Sequence, residues 1–241
     1  MVKNVLFDLD GTLLVMKSQK AFVKMYLEAL CKRFCPTLGV TPQVLSAAIF
    51  DATEKMFLND GGKTNREVFW DSFSKNLGGN LQSKEAEFDD FYNREFIYAK
   101  QSTGVNPCSA RAVKCLKSKG YRLVLATNPV FPPAATENRI KWAGISPEYF
   151  EHITVYNNSS FCKPNTDYYG EIMQKLNMLP EECLMVGNDV DEDMCTQKIG
   201  METYLVTDCL ENKNNRDYSR FRQGTMEEFC GFAEGMPPIL R

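Results

Sequence analysis

Short apolar runs bounded by turn residues recur along the chain at Val2–Leu9, Tyr121–Thr127, Ile153–Tyr156, Cys183–Gly187 and Thr203–Val206. Runs of this length without polar alternation predict strands buried on both faces, as in a parallel sheet. Between the later runs, apolar residues recur every three or four positions over Ser109–Lys117, Ala134–Trp142, Thr166–Leu176 and Asp193–Ile199, which predicts helices. Strands alternating with helices imply an α/β fold, a Rossmann-like three-layer, doubly wound parallel sheet.

Residues 15–103 break that rhythm. Phe22, Met25/Tyr26, Ala29/Leu30 and Phe34 recur at helical spacing, as do Leu45, Ala48/Ile49, Ala52 and Met56. Phe69, Phe73 and Leu77 follow, then Phe88, Phe91/Tyr92 and Phe96. The pattern predicts four amphipathic helices and no strand, punctuated at Leu38-Gly39, Asp60-Gly61-Gly62 and Gly78-Gly79-Asn80. The aromatic stripe reads as core packing. The expected organisation is an α/β core of residues 1–14 and 104–241, interrupted by a four-helix domain of residues 15–103. Asn212–Asp217 has no apolar residue and reads as a solvated loop.

Composition narrows the class. Among 241 residues, 44% are hydrophobic and 24% charged, which is ordinary for a globular protein and unlike a disordered or coiled-coil chain. The formal charge of −3 argues against bulk attraction to nucleic acid or an anionic membrane. No run approaches the ~20 apolar residues of a membrane span, and the short stretch after Met1-Val2-Lys3-Asn4 does not resemble a signal peptide. The nine cysteines are odd in number and mostly sit in apolar segments. Reduced thiols and a cytoplasmic location are therefore expected. The sole histidine, His152, opens an apolar run and reads as a packed strand-edge residue. Ser-His-Asp and Cys-His chemistry are correspondingly unattractive.

Candidate chemistry gathers at strand ends. Phe7-Asp8-Leu9-Asp10-Gly11-Thr12 ends the first strand, where α/β sheets build their sites. Side chains at i and i+2 share a strand face, so the Asp8 and Asp10 carboxylates should converge and need a cation or a shared proton. Gly11 permits a sharp turn. Thr127-Asn128 ends a later strand and could hydrogen-bond a phosphate. Lys163, just before the helix opening near Thr166, sets a positive charge beside the positive end of the helix dipole. Last comes Gly187-Asn188-Asp189-Val190-Asp191-Glu192-Asp193, whose crowded acids suit an oxygen-coordinated Mg²⁺.

Together these four elements, in this order, resemble the haloacid dehalogenase (HAD) superfamily, including the phosphatase-type members with a helical cap inserted after the first motif. The resemblance implies a hydrolase of phosphomonoesters acting on a small phosphorylated metabolite, with Asp8 as nucleophile and Asp10 as general acid/base. It further implies that Thr127 and the Asn128 backbone bind phosphate, and that Lys163 neutralises it and holds Asp8. Mg²⁺ would be held by the Asp8 side chain, the Asp10 carbonyl and a carboxylate of the fourth motif. The family usually has Asp directly after the glycine, where this chain has Asn188. Either Asn188 replaces that ligand or Asp189 supplies it. Charge favours Asp189, leaving Asn188 and Asp193 to support the ligands or Lys163 from behind. Retention of an acid at Asp10 disfavours a true dehalogenase or a phosphonate-cleaving enzyme, since neither leaving group needs a proton. A phosphomutase of the β-phosphoglucomutase type keeps both acids and remains an alternative. A non-catalytic phospho-acceptor or binding domain is the alternative from another class. Lys17 and the Asn59–Lys63 loop are the places to look for substrate selection, although both read first as solvated charge.

Overall fold

The computed structural model describes residues 1–239. In chain order they form β1 (Asn4–Phe7), β2 (Leu14–Met16), α1 (Gln19–Leu38), α2 (Pro42–Phe57), α3 (Asn65–Leu77), α4 (Glu85–Arg94), β3 (Thr103–Val105), α5 (Pro107–Ser118), β4 (Arg122–Leu125) and α6 (Pro133–Trp142). Then follow β5 (His152–Ile153), α7 (Thr166–Leu176), β6 (Cys183–Gly187), β7 (Glu202–Val206), β8 (Gln223–Gly224) and α8 (Met226–Gly235).

Six strands lie in the order β5-β4-β1-β6-β7-β8, and every pairing is parallel. Successive side chains of a strand point to opposite faces. In β1, Val5 and Phe7 enter one core and Leu6 the other. Leu123 and Leu125 against Val124, and Leu184 and Val186 against Met185, repeat that division. The first face is covered by α5 and α8 through Val113, Leu116, Phe229 and Ala233. The second is covered by α7 through Tyr168, Tyr169 and Ile172. Burial on both faces explains why these strands read as continuous apolar runs. The chain leaves β1 for β4 and β5 on one side, then returns to the other side for β6 and β7. That reversal opens a crevice at the carboxyl ends of β1, β4 and β6.

The helical insert follows β1. Its entry strand β2 and exit strand β3 pair antiparallel, with Leu14 opposite Val105 and Met16 opposite Thr103. The sequence pattern predicts no strand at these margins, because three residues are too few to show an alternation. Ser18, Thr41 and Thr64 each accept a hydrogen bond from a first-turn amide, starting α1, α2 and α3. Thr64 and Glu67 form a reciprocal capping box. The apolar stripes meet inside the insert: Phe34 stacks on Phe88 with ring centroids 3.9 Å apart, and Trp70 meets Phe88 edge-on at 5.4 Å. Asn65 is fully buried and donates through Nδ2 to the Pro129 and Phe161 carbonyls, joining the insert to the sheet region.

Several elements differ from expectation. The strand expected over Ile153–Tyr156 is the two-residue edge strand β5, because the Thr154 hydroxyl turns onto the Thr127 carbonyl at 2.7 Å. The helix expected from Asp193 is a six-residue 3-10 helix, Met194–Ile199, with the Asp193 carboxylate engaged by Lys163. The terminal pair β8 and α8 has no counterpart in the sequence reading. α8 is ten residues long and carries Gly231 within it, which weakens its periodicity, yet Met226, Phe229, Cys230 and Ala233 are buried at helical spacing. All nine cysteines are free. Among the described residues, no helix is long and apolar enough to cross a membrane.

Candidate active site

Asp8 follows the last residue of β1 and is anchored by its N–H to the Val186 carbonyl at 2.9 Å. Its Oδ1 accepts from Lys163 Nζ at 2.9 Å. The Thr12 hydroxyl lies 3.1 Å from Asp8 Oδ2 and 2.9 Å from Asn188 Oδ1, so its single proton is shared between them. The regular strand ends at Phe7, so a turn, rather than a shared strand face, brings Asp8 and Asp10 to one cavity. Gly11 makes that turn possible with φ of +90°, and a Cβ there would lie 2.4 Å from Asn188 Nδ2.

Asp10 is paired with Arg139, a guanidinium only 2% exposed on α6. Arg139 also stacks over the Phe131 ring at 4.5 Å from its centroid. Asp10 Oδ1 is buried with no hydrogen-bond partner among the described residues. A buried carboxylate oxygen without a donor is costly, and protonation relieves that cost. Accordingly burial pushes the Asp10 carboxyl above its ordinary range, Arg139 opposes that shift, and the neighbouring Asp8 charge adds to it.

Lys163 is 1% exposed and bridges Asp8 and Asp193, at 2.9 and 2.7 Å. Burial by itself would lower this ammonium, but Asp193 and Asp8 outweigh it and hold the group well above its usual value. Asp193 packs directly over Gly187, where a Cβ would come within 2.1 Å of its Oδ2. That close approach explains the glycine at the end of β6. Burial pushes Asp193 up to about 6 and Glu192 up to about 7, the first against the pull of Lys163.

The remaining expected residues also reach the crevice. Thr127 is 3% exposed, and its carbonyl is pinned by the Thr154 and Tyr168 hydroxyls. Asn128 Oδ1 accepts the Lys163 N–H, and its Nδ2 donates to Glu192, tying three loops together. Asn188 spends both ends of its amide, on Thr12 and on the Cys209 carbonyl at 2.6 Å. Asp189 Oδ1 accepts the Asp191 and Glu192 N–H groups, while Oδ2 faces Lys213 at 4.0 Å.

Asp8, Asp10, Thr127, Asn128, Asn188, Asp189 and Asp193 line one cavity of about 370 Å³, with Lys163 directly behind Asp8. Lys17 and the Asn59–Lys63 loop do not line it. Lys17 reaches the Gln101 carbonyl, and Gly61 packs against the Phe161 ring. Sequence reasoning missed Arg139, and gave Glu192 no role of its own within the acidic fourth element. Arg139 lies four residues after Ala135 on the buried stripe of α6. An arginine at such a position almost always requires a buried acid, and that was the available signal. His152 is half-buried in the edge strand β5 and does not line the cavity.

The sequence profile of the haloacid dehalogenase-like hydrolases matches residues 2–194. The chain belongs to this family of hydrolases. A glyceraldehyde 3-phosphate phosphatase of Methanothermobacter thermautotrophicus is 32% identical over 92 residues, 38% of this chain and 39% of that protein. This chain therefore matches about two fifths of that relative's length. A phosphoglycolate phosphatase of Vibrio vulnificus is 24% identical over 217 residues, 86% of this chain and 84% of that protein. Among solved structures, a HAD phosphatase from Thermococcus onnurineus covers 99% of this chain and 100% of its own, with a TM-score of 0.61 at 19% identity. L-2-haloacid dehalogenase from Xanthobacter autotrophicus gives 0.58 at 16% identity, over 98% of this chain and 100% of its own. At such identities the two structures share the fold.

Proposed function

We propose that this chain is a Mg²⁺-dependent phosphomonoester hydrolase that acts on small phosphorylated molecules through an aspartyl-phosphate formed on Asp8. The observation that carries this reading is the unequal treatment of two neighbouring acids. Asp8 accepts hydrogen bonds from Lys163 and Thr12, while burial raises Asp10 and leaves one of its oxygens without a donor. A pair split in this way supplies one ionised nucleophile and one protonated acid.

The donor set fits a magnesium ion. Among the described residues, no three His, Cys, Asp or Glu side chains converge as a ready-made metal cluster. Mg²⁺ does not need one, because it takes one or two carboxylates and fills its shell with carbonyl oxygens and water. Six acids, Asp8, Asp10, Asp189, Glu192, Asp193 and Glu211, line the cavity, against Arg139, Lys213 and, behind Asp8, Lys163. That excess of negative charge favours a bound cation. The Asp8 carboxylate, the Asp10 carbonyl and the Asp189 carboxylate would hold it. Both ends of the Asn188 amide are already bonded, whereas Asp189 keeps Oδ2 for a ligand, which supports Asp189 over Asn188. When bound, the ion would offset charge on the phosphoryl oxygens and the carboxylates around them.

The protein's own groups account for the rest. Asp8 attacks phosphorus in line, forming an O–P bond as the bond to the leaving oxygen breaks, so one difficult step becomes two. Lys163 and the N–H groups after Thr127 offset the equatorial charge. Asp10 gives its proton to the leaving oxygen, then takes one from the water that hydrolyses the aspartyl-phosphate. Asp193 positions the Lys163 ammonium. The insert, residues 15–103, acts as a cap over the core of residues 1–14 and 104–241 and excludes bulk water. Phosphate release from a panel of phosphomonoesters tests the reading. Release should require Mg²⁺, stop in excess chelator, and fall by about 10⁶-fold in Asp8→Asn, the scale seen when a nucleophile is removed. Near-normal turnover by Asp8→Asn would refute it.

A further inference from the structure

The cavity runs from the carboxylates deep into the insert, and its two ends differ in chemistry. Every charged lining residue belongs to the sheet region; the insert contributes none. Its wall there is built from side chains such as Phe22, Tyr26, Phe69 and Tyr92, with Gln19 and Thr53 among its few polar groups. The Tyr26 and Tyr92 hydroxyls are 2.9 Å apart and bond to each other. Val23, Phe50 and Phe57 are 37%, 54% and 45% exposed, and all three line this cavity. Large apolar side chains left open around one concave site mark a surface that a ligand covers.

Both cations that line the cavity, Arg139 and Lys213, belong to its sheet end. Arg139 is paired with Asp10. Lys213 stands 4.0 Å from both Asp189 and Glu211. The insert end of the cavity therefore has no free positive charge for a second anionic group on the substrate, such as a carboxylate. A volume of about 370 Å³ also falls within the range of pockets that enclose whole organic ligands, and a two-carbon acid would leave most of it empty.

We infer that the substrate is a phosphomonoester of an uncharged, apolar alcohol, its alkyl or aryl body lying against the insert wall and its phosphate at Asp8. This rests on the phosphatase reading above and names the substrate class for the same site. It sets the chain apart from the two kinds of relative described, whose names specify small polar phosphates.

The test compares kcat/KM for hexyl phosphate and benzyl phosphate with that for phosphoglycolate and glycerol 3-phosphate, all in Mg²⁺. All four are esters of aliphatic-type alcohols and release an alcohol, so the comparison reads the fit of the alcohol. Burying several methylene groups should favour hexyl phosphate by at least about tenfold. In Phe50→Lys, which sets a cation on the exposed wall, the ratio of hexyl phosphate to phosphoglycolate should fall by about tenfold. Equal or better use of phosphoglycolate by the unaltered protein, or an unchanged ratio in a folded Phe50→Lys, would overturn the inference and leave the phosphatase reading standing. The unaltered protein's ratio decides the matter if the variant misfolds. Absence of phosphate release from every ester, and from acetyl phosphate, would overturn the phosphatase reading and this inference together.

Discussion

The two ends of the cavity are built on opposite principles. At the sheet end, side chains lock one another: Lys163 between Asp8 and Asp193, Asn128 between Lys163 and Glu192, and Asn188 between Thr12 and Cys209. At the insert end, rings and aliphatic chains meet without charge, and several stay partly open to solvent. The contrast follows from what each end must meet. A phosphoryl group carries fixed charge in a fixed geometry, so donors set in place beforehand serve it best. An apolar body has no directional demands, and a wall of rings accepts it by area alone. On the proposed reading, chemistry and selection are divided between two parts of one chain.

The division can be broken from either side. The largest remaining effect is expected for Asp10→Asn, which keeps the shape of the sheet end but removes the transferable proton. Turnover of alkyl phosphates should fall by about 10²–10⁴-fold. Steady-state assays should show most of this in kcat, with KM little changed; a loss confined to KM would mean that Asp10 binds substrate rather than moving a proton.

Arg139→Met acts one step further out. It takes the cation away from a partly buried carboxyl that burial already pushes toward its protonated form, so the lost contact should cost about 1–3 kcal/mol. Chemical denaturation should register that loss as a lower midpoint at unchanged slope. A variant as stable as the parent would show that the pair contributes nothing to folding.

The smallest effect tests whether the insert can be disturbed without touching the chemistry. Thr64→Ala removes the hydroxyl that starts α3, on the exposed surface of the insert. It should lower stability by about 1 kcal/mol. Hydrolysis of acetyl phosphate should be unaltered, which paired denaturation and activity measurements would check. A large loss of turnover would show the two ends to be mechanically coupled.

Much of the sheet region is legible from the sequence because its cues are local. β6 and α7 occur over the same residues that the pattern marks, the apolar runs at β1 and β4 contain their strands, and β7 begins one residue before its run. The insert's stripes also hold: Phe22, Tyr26, Leu30 and Phe34 are buried on α1, and Leu45, Ala48, Ile49, Ala52 and Met56 on α2. Burial of one face of a helix, or of both faces of a strand, writes its period into consecutive residues. The acids and hydroxyls at strand ends are visible for a related reason, since parallel sheets open their crevices there.

Tertiary structure alone decided the rest. Asp10 and Arg139 are 129 positions apart, and no local pattern joins them; Asn128 and Glu192 are separated by 64. The engagement of both ends of the Asn188 amide likewise depends on Thr12 and Cys209, which lie elsewhere in the chain. The aromatic stripe showed only that these residues would be buried. Which rings close the core of the insert and which face the cavity depends on how the insert meets the sheet, and a hydrophobic period carries no record of that. Periodicity reports the environment of each residue along its own element. Pairings, and the shape of the space left between elements, exist only once distant segments have packed together.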